Sequence, residues 1–235
     1  MRPNTRMQDI DVLILCGGKG KRLRPMVSDR PKTMVWIKDR PFMDILIDYI
    51  AKFGFRRFIL CTGYKADFIK RYYQDRNLPL TIVFSEEKNP LGTAGAIKNA
   101  SSLVKSNTML VFNGDSFCKA DLNKFVDFHF AKNAEASIVL SKLKDNEDYG
   151  AVRLGPSGII TSFNEKSKQD GFTNAGIYFF KKSTLDMIPD GVKFSVEYDL
   201  FPKLVGLGFF GYKTKAIVTD IGTPQRYKEA RLSIK

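Results

Sequence analysis

The chain has 235 residues, 43% of them hydrophobic, which is enough for a substantial core, and a formal net charge of +13 at pH 7. No Pro/Ser/Gly-rich linker, low-complexity tract or internal repeat interrupts it, so one domain over 1–235 is predicted. A basic chain attracts polyanions, yet its cations are scattered from Arg2 to Lys235 without a long run, a zinc-ligand spacing or a ribonucleoprotein motif, which argues against a nucleic-acid partner.

Val12-Leu13-Ile14-Leu15 is a continuous apolar run, as expected of a strand buried on both faces of a parallel sheet. Phe42, Ile45, Leu46, Tyr49, Ile50 and Phe53 recur at helical spacing and stop at Gly54. Phe58-Ile59-Leu60-Cys61 predicts a second buried strand ending at Gly63, and Phe68, Ile69, Tyr72 and Tyr73 mark another helix. A third strand is expected from Leu80 to Phe84, a helix through Ala96, Ile97, Ala100, Leu103 and Val104, and a fourth strand at Met109-Leu110-Val111-Phe112. Strand and helix thus alternate through the first half, as in a doubly wound sheet.

The second half predicts more strands: Ser137-Ile138-Val139-Leu140, a hairpin from Ala151-Val152-Arg153-Leu154 through Gly155-Pro156-Ser157-Gly158 to Ile159-Ile160, and a run from Ala175 to Phe180. The three cysteines, Cys16, Cys61 and Cys118, fall on or beside predicted buried strands and read as free thiols of a reducing compartment. The first residues lack an apolar signal-peptide core and no run is long enough to span a membrane, so a cytoplasmic location without a membrane partner is expected.

The first apolar run opens directly into Gly17-Gly18-Lys19-Gly20-Lys21-Arg22-Leu23-Arg24-Pro25, with Pro31-Lys32 downstream. Glycine lets backbone N–H groups approach phosphate oxygens, and the carboxyl edge of a parallel sheet is where ligands bind, although glycines alone also serve plain turns. The loop lacks the Gly-Lys-Ser/Thr ending of a Walker A motif, and Leu23 stands where the dinucleotide fingerprint needs glycine. Asn113-Gly114-Asp115 follows the fourth strand and puts a carboxylate at the same edge, where it could hold a hard cation; in isolation it also reads as a turn. Asp220 in Thr219-Asp220-Ile221-Gly222-Thr223-Pro224 again follows an apolar run.

Taken in order from about Ile10 to Pro224, these strings resemble the signature of the sugar-1-phosphate nucleotidyltransferases. So do Glu86-Glu87-Lys88-Asn89-Pro90-Leu91-Gly92-Thr93-Ala94-Gly95, Phe163-Asn164-Glu165-Lys166, Asn174-Ala175-Gly176-Ile177-Tyr178 and Ser195-Val196-Glu197-Tyr198. The resemblance implies an α/β, Rossmann-like (GT-A-like) single domain with a mostly parallel mixed sheet and no C-terminal β-helix. Its nucleotide-binding half would run over about 10–130 and its sugar-phosphate half over about 131–235.

In the resemblance, Leu15, Cys16, Gly17, Gly18, Gly20, Lys21, Arg22, Glu87, Gly92 and Thr93 bind the nucleotide. Asn113, Tyr149, Gly150, Glu165, Lys166, Asn174 and Glu197 bind the sugar phosphate. Arg22, Lys32, Asp115, Lys166 and Asp220 carry the reaction, with Mg2+ on Asp115 and Asp220. Glu87 stands where uridylyl and thymidylyl members have glutamine, and it could accept hydrogen bonds from guanine N1–H and its 2-amino group, so GTP is expected over another nucleoside triphosphate.

Short guanylyl-like members acting on a heptose or mannose 1-phosphate are the nearest relatives implied, then a muramate uridylyltransferase. The product would serve capsule or lipopolysaccharide synthesis, and a homo-oligomer is left open. Ser167 replaces the proline that often follows the family's Glu-Lys pair. Ser195 is expected to cap a helix, and the sole histidine, His129, lies in an aromatic-rich helix with no Gly-x-Ser-x-Gly elbow, which excludes a hydrolytic triad. A noncatalytic nucleotide- or nucleic-acid-binding protein is the competing class.

Overall fold

The computed structural model describes residues 7–142, 151–164 and 172–234. Strand β1 (Asp11–Leu15) opens into the glycine loop; a small ribbon, β2 (Trp36–Ile37) with β3 (Arg40–Pro41), then leads into helix α1 (Phe42–Ala51). Phe42, Met43, Leu46, Ile47 and Ile50 are buried on α1, and the chain turns at Gly54, whose φ of +95° suits glycine. Strand β4 (Arg57–Thr62), helix α2 (Ala66–Gln74), strand β5 (Thr81–Glu86), helix α3 (Gly92–Asn99) and strand β6 (Thr108–Asn113) follow, so the alternation read from the apolar spacing is present. Helix α3 stops earlier than its spacing suggested: Ser101–Leu103 forms a separate 3-10 turn.

Strand β7 (Ser116–Cys118) precedes helix α4 (Leu122–Ala131), which Asp121 caps by accepting from the Lys124 N–H at 3.1 Å. Strands β8 (Ala136–Lys142), β9 (Ala151–Leu154), β10 (Ile160–Asn164) and β11 (Phe172–Lys181) follow, and β9 and β10 form the expected hairpin. After them come helix α5 (Phe201–Leu204), strands β12 (Phe209–Thr214) and β13 (Val218–Asp220), and helix α6 (Pro224–Ser233), capped by Thr223.

Nine strands of the described residues make one mixed sheet. Across β5-β4-β1-β6 every pairing is parallel; β11 joins antiparallel to β6 and β8, while β12 lies parallel to β8. The chain runs outward from β1 to β4 and β5 and then crosses back to β6 on the other side of β1. That reversal opens a crevice at the carboxyl end of β1, where the glycine loop begins.

Both faces are covered. Val12, Ile14, Phe58 and Leu60 pack with α1 on one side, and Leu13, Ile59, Met109 and Val111 pack with Ile97 of α3 and with Val196 and Phe201 on the other. His129 belongs to this interior: its Nδ1 lies 2.9 Å from Ser137 Oγ, and burial drives its pKa down to about 3, so it stays neutral and structural.

At the opposite end of β1, Asp11 ties three segments together. Its Oδ2 accepts from the N–H groups of Lys105 and Ser106 at 2.6 and 2.9 Å and from Ser106 Oγ at 3.1 Å, while Oδ1 pairs with Arg57. Burial pushes this carboxyl up, but the hydrogen bonds and Arg57 outweigh it and hold it below the usual carboxylate value. A depressed folded-state pKa contributes stability above the unfolded value, which is lost as pH falls through the lower, folded value. Asp11→Ala should therefore cost about 2–4 kcal/mol in urea denaturation at neutral pH, because it strands buried donors and Arg57, and the difference from wild type should shrink on acidification. An unchanged midpoint at neutral pH would contradict this.

Candidate active site

The sheet register gathers four loops on one edge. Leu15 pairs with Cys61 and Asn113, and Thr62 with Glu86, so the turns after β1, β4, β5 and β6 start side by side. The ladder continues beyond the strands: Cys16 N–H donates to Cys61 O, Tyr64 N–H to Gly17 O and Glu87 N–H to Thr62 O, each at 2.9 Å. A cavity of about 870 Å³ opens above them, lined by Gly17, Gly18, Lys21, Lys32, Glu87, Gly92, Thr93 and Asp115 among others. A smaller cavity of about 240 Å³ is lined by Arg22, Asn113, Asp115, Asn174, Glu197 and Asp220. Asn113 and Asp115 line both.

Of the residues expected to hold nucleotide, Leu15 and Cys16 also line the larger cavity. Gly20 lies behind it, turning at φ +57° with its α-carbon against Lys32, where a Cβ would approach the lysine Cβ to 3.1 Å. Arg22 lines the smaller cavity beside Asp220 and Gly222. Thr93 lines the larger cavity and donates to Glu197 Oε2 at 3.0 Å. Tyr149, Gly150, Glu165 and Lys166 lie outside the described residues.

Lys32 forms an ion pair with Asp115. Burial raises the Asp115 carboxyl, but the charge and hydrogen bond of Lys32, aided by Ser116, hold it below the usual range, so it is ionised at neutral pH. Glu87 is the opposite case: desolvation pushes its carboxyl up, opposed by the Leu91 N–H that donates to Oε2 at 3.0 Å. The cavity thiols are inert by the same physics, burial carrying Cys61 up to about 12 and Cys16 upward as well. All three cysteines are free.

In the smaller cavity Asn174 and Asn113 both donate to the hydroxyl of buried Tyr178, at 2.8 and 3.2 Å, and that hydroxyl donates to Glu197 Oε1 at 3.2 Å. Glu197 Oε2 also accepts from Ser195 Oγ at 2.9 Å, and Ser195 caps the following turn as its position suggested. This network ties Thr93 at the start of α3 to the polar wall of the second cavity.

Asp115 and Asp220 line the same smaller cavity because β13 pairs with β7, Asp220 opposite Ser116, and because Ile221 N–H donates to Asp115 O at 3.0 Å. Arg226 pairs with Asp220 at 2.9 Å. Two carboxylates on one cavity fit magnesium, which takes one or two carboxylates and fills its remaining positions with phosphate oxygens and water. Among the described residues no three His, Cys, Asp or Glu side chains cluster as an all-protein cage.

The family model described as nucleotidyl transferase matches residues 11–235. The chain belongs to the nucleotidyl transferase family. It is 35% identical over 228 residues to a D-glycero-alpha-D-manno-heptose 1-phosphate guanylyltransferase of Aneurinibacillus thermoaerophilus, covering 96% of this chain and 99% of that protein. A mannose-1-phosphate guanylyltransferase of Mycobacterium tuberculosis is also 35% identical, but this chain spans 62% of its length. The crystal structure of HddC from Yersinia pseudotuberculosis complexed with GMP-PN superposes with a TM-score of 0.83 at 36% identity, covering 96% of this chain and all of that one.

This nucleotidyltransferase has site residues that its motifs did not single out. Lys19, Gly63, Tyr64 and Lys193 line the larger cavity, and Thr173 and Arg226 the smaller one. Lys19 lay inside the glycine motif, while Gly63 was visible only as a strand terminator. Arg226 lies six residues after Asp220, with which it pairs, and Lys193 two residues before the Ser195 string, both just outside the strings that the motifs cover.

Proposed function

We propose that the enzyme transfers the guanylyl group of GTP to D-glycero-α-D-manno-heptose 1-phosphate, giving the GDP-sugar and pyrophosphate. The observation that carries this reading is the pair of cavities that share Asn113 and Asp115. One is lined by Lys19, Lys21 and Lys32 with Glu87, the other by Asn174 and Glu197. An oxygen of the sugar 1-phosphate attacks the α-phosphorus of GTP, the bond from that phosphorus to the bridging oxygen of the β-phosphate breaks, and pyrophosphate leaves in line.

The nucleophile is already an anion, so no general base is needed and the protein's work is positioning and charge stabilisation. Lys32 and Lys21 offset triphosphate charge; Arg22, expected on the triphosphate from its motif, lines the smaller cavity and not the larger one, so it is assigned with Lys166 to the acceptor phosphate. Asn174 and Glu197 are placed to take sugar hydroxyls. Asp115 and Asp220 are the residues that would hold Mg2+, whose chemistry is to neutralise charge on the reacting phosphates.

We assign residues to about 130 the nucleotide and later ones the acceptor. We assign the reaction to the cytoplasm because GTP is supplied there. Among the described residues no helix is long and apolar enough to cross a membrane. Mannose 1-phosphate is the second reading, favoured by the Mycobacterium relative.

A matrix of four nucleoside triphosphates against heptose, mannose, glucose and muramate 1-phosphates, scored by pyrophosphate release, tests both. The largest kcat/KM is expected for GTP with the heptose substrate. A maximum with uridine triphosphate would overturn the role of Glu87, and silence across the matrix would overturn the acceptor class.

A further inference from the structure

Gly17 and Gly63 line the larger cavity just past the ends of β1 and β4. Neither belongs to the glycines with positive φ, so backbone conformation does not demand glycine at either place. The space beside them does. A Cβ on Gly63 would stand 2.8 Å from both Cγ and Oε1 of Glu87, and one on Gly17 would stand 2.9 Å from Oε1.

Glu87 has little freedom to retreat. Its N–H is fixed to Thr62 O at 2.9 Å, and its Oε2 accepts from Leu91 N–H at 3.0 Å. Because Cγ as well as the carboxylate tip occupies the space at Gly63, a methyl group there would displace the whole side chain. Both positions also crowd backbone, Gly63 against the Gly17 carbonyl oxygen at 3.1 Å and Gly17 against Thr62 and Gly63 at 3.2 Å, but only at Gly63 does the Cγ of Glu87 stand in the way.

We propose that Gly63 is a specificity-determining position: its missing side chain sets the Glu87 carboxylate in a notch where a purine edge bearing two adjacent N–H donors is read. The proposal rests on the guanylyl reading above and deepens it. Leu91 N–H fixes one carboxylate oxygen, and the Gly17–Gly63 notch fixes the other, so the carboxylate's plane is set before the base arrives. Pre-orientation of this kind is how a polar pocket separates ligands that differ by one hydrogen bond.

The probe is inosine triphosphate, which is GTP without the 2-amino group. Titration of the full chain with each nucleotide should give wild type a preference for GTP of about tenfold, the scale of one hydrogen bond to a charged group. Gly63→Ala should bring the two affinities close to parity by weakening GTP more than inosine triphosphate. A purely structural defect would weaken both alike and leave their ratio unchanged.

The same substitution in a Glu87→Ala background should leave the ratio unchanged and lower the melting temperature less than it does in wild type, because the Glu87 atoms it collides with are gone and only the 3.1 Å approach to the Gly17 carbonyl oxygen remains. If Gly63→Ala alone fails to fold, recovery of folding in that background supports the same conclusion. An equal effect in both backgrounds, or an unchanged ratio, overturns the role of Gly63 while GTP binding by wild type preserves the guanylyl reading. Failure of wild type to bind GTP overturns both.

Discussion

Asp115→Ala is expected to lower turnover by about two orders of magnitude or more at saturating substrates, the scale of losing a preorganised electrostatic group. Asp115 lines both cavities and pairs with Lys32. Its removal takes away the carboxylate that the two cavities share and releases an ammonium that the ion pair holds in place. Lys32 is largely buried, with a side-chain exposure of 17%, so unpairing it also carries a stability cost, and melting must be followed beside activity.

Asp115→Asn keeps the shape without the charge and should lose nearly as much turnover. Since Lys32 and Ser116 hold the Asp115 carboxyl below its ordinary range, its protonation cannot explain a fall of activity near neutral pH. Its stabilising charge is fully present above the unfolded-state value and is lost as pH drops through the lower folded one. Folded variants that release pyrophosphate at the wild-type rate would remove Asp115 from the reaction.

Glu87→Gln should reduce kcat/KM for GTP about 100-fold, because an amide presents one acceptor and one donor where guanine offers two donors, leaving a buried donor facing another. The acceptor KM should hold, since Glu87 lines only the larger cavity. Uridine triphosphate should gain ground relative to GTP, in the direction of the pyrimidine-type members that carry glutamine here. The measurement is competition between the two nucleotides at fixed heptose 1-phosphate. Retained preference for GTP would show that the base is read elsewhere.

Much of the nucleotide side was legible because its signals are local. An apolar run ending in glycine predicts both a buried strand and the edge at which it stops, and β1, β4 and β6 each end within a residue or two of a residue assigned to the site. The acceptor side was less legible. Asn174 and Glu197 follow from motif likeness, and Tyr178 closes the same string as Asn174, but that its buried hydroxyl joins the two is visible only in the fold. Strands β7 and β13 are three residues each, too short for periodicity to register, yet their pairing is what puts Asp115 and Asp220 on one cavity.

The sequence by itself determined the family, the order of elements around β1 and the chemical types at the site, because strand burial, glycine turns and charged motifs are written within short windows. Only the tertiary structure decided which of those groups share a cavity. Arg22 lies beside Asp220, Asn113 and Asp115 stand between two chambers, and Glu87 rests in a notch left by two glycines just past the ends of neighbouring strands. Such contacts join residues tens to hundreds of positions apart, and their distances depend on sheet register and side-chain packing, which no local pattern encodes.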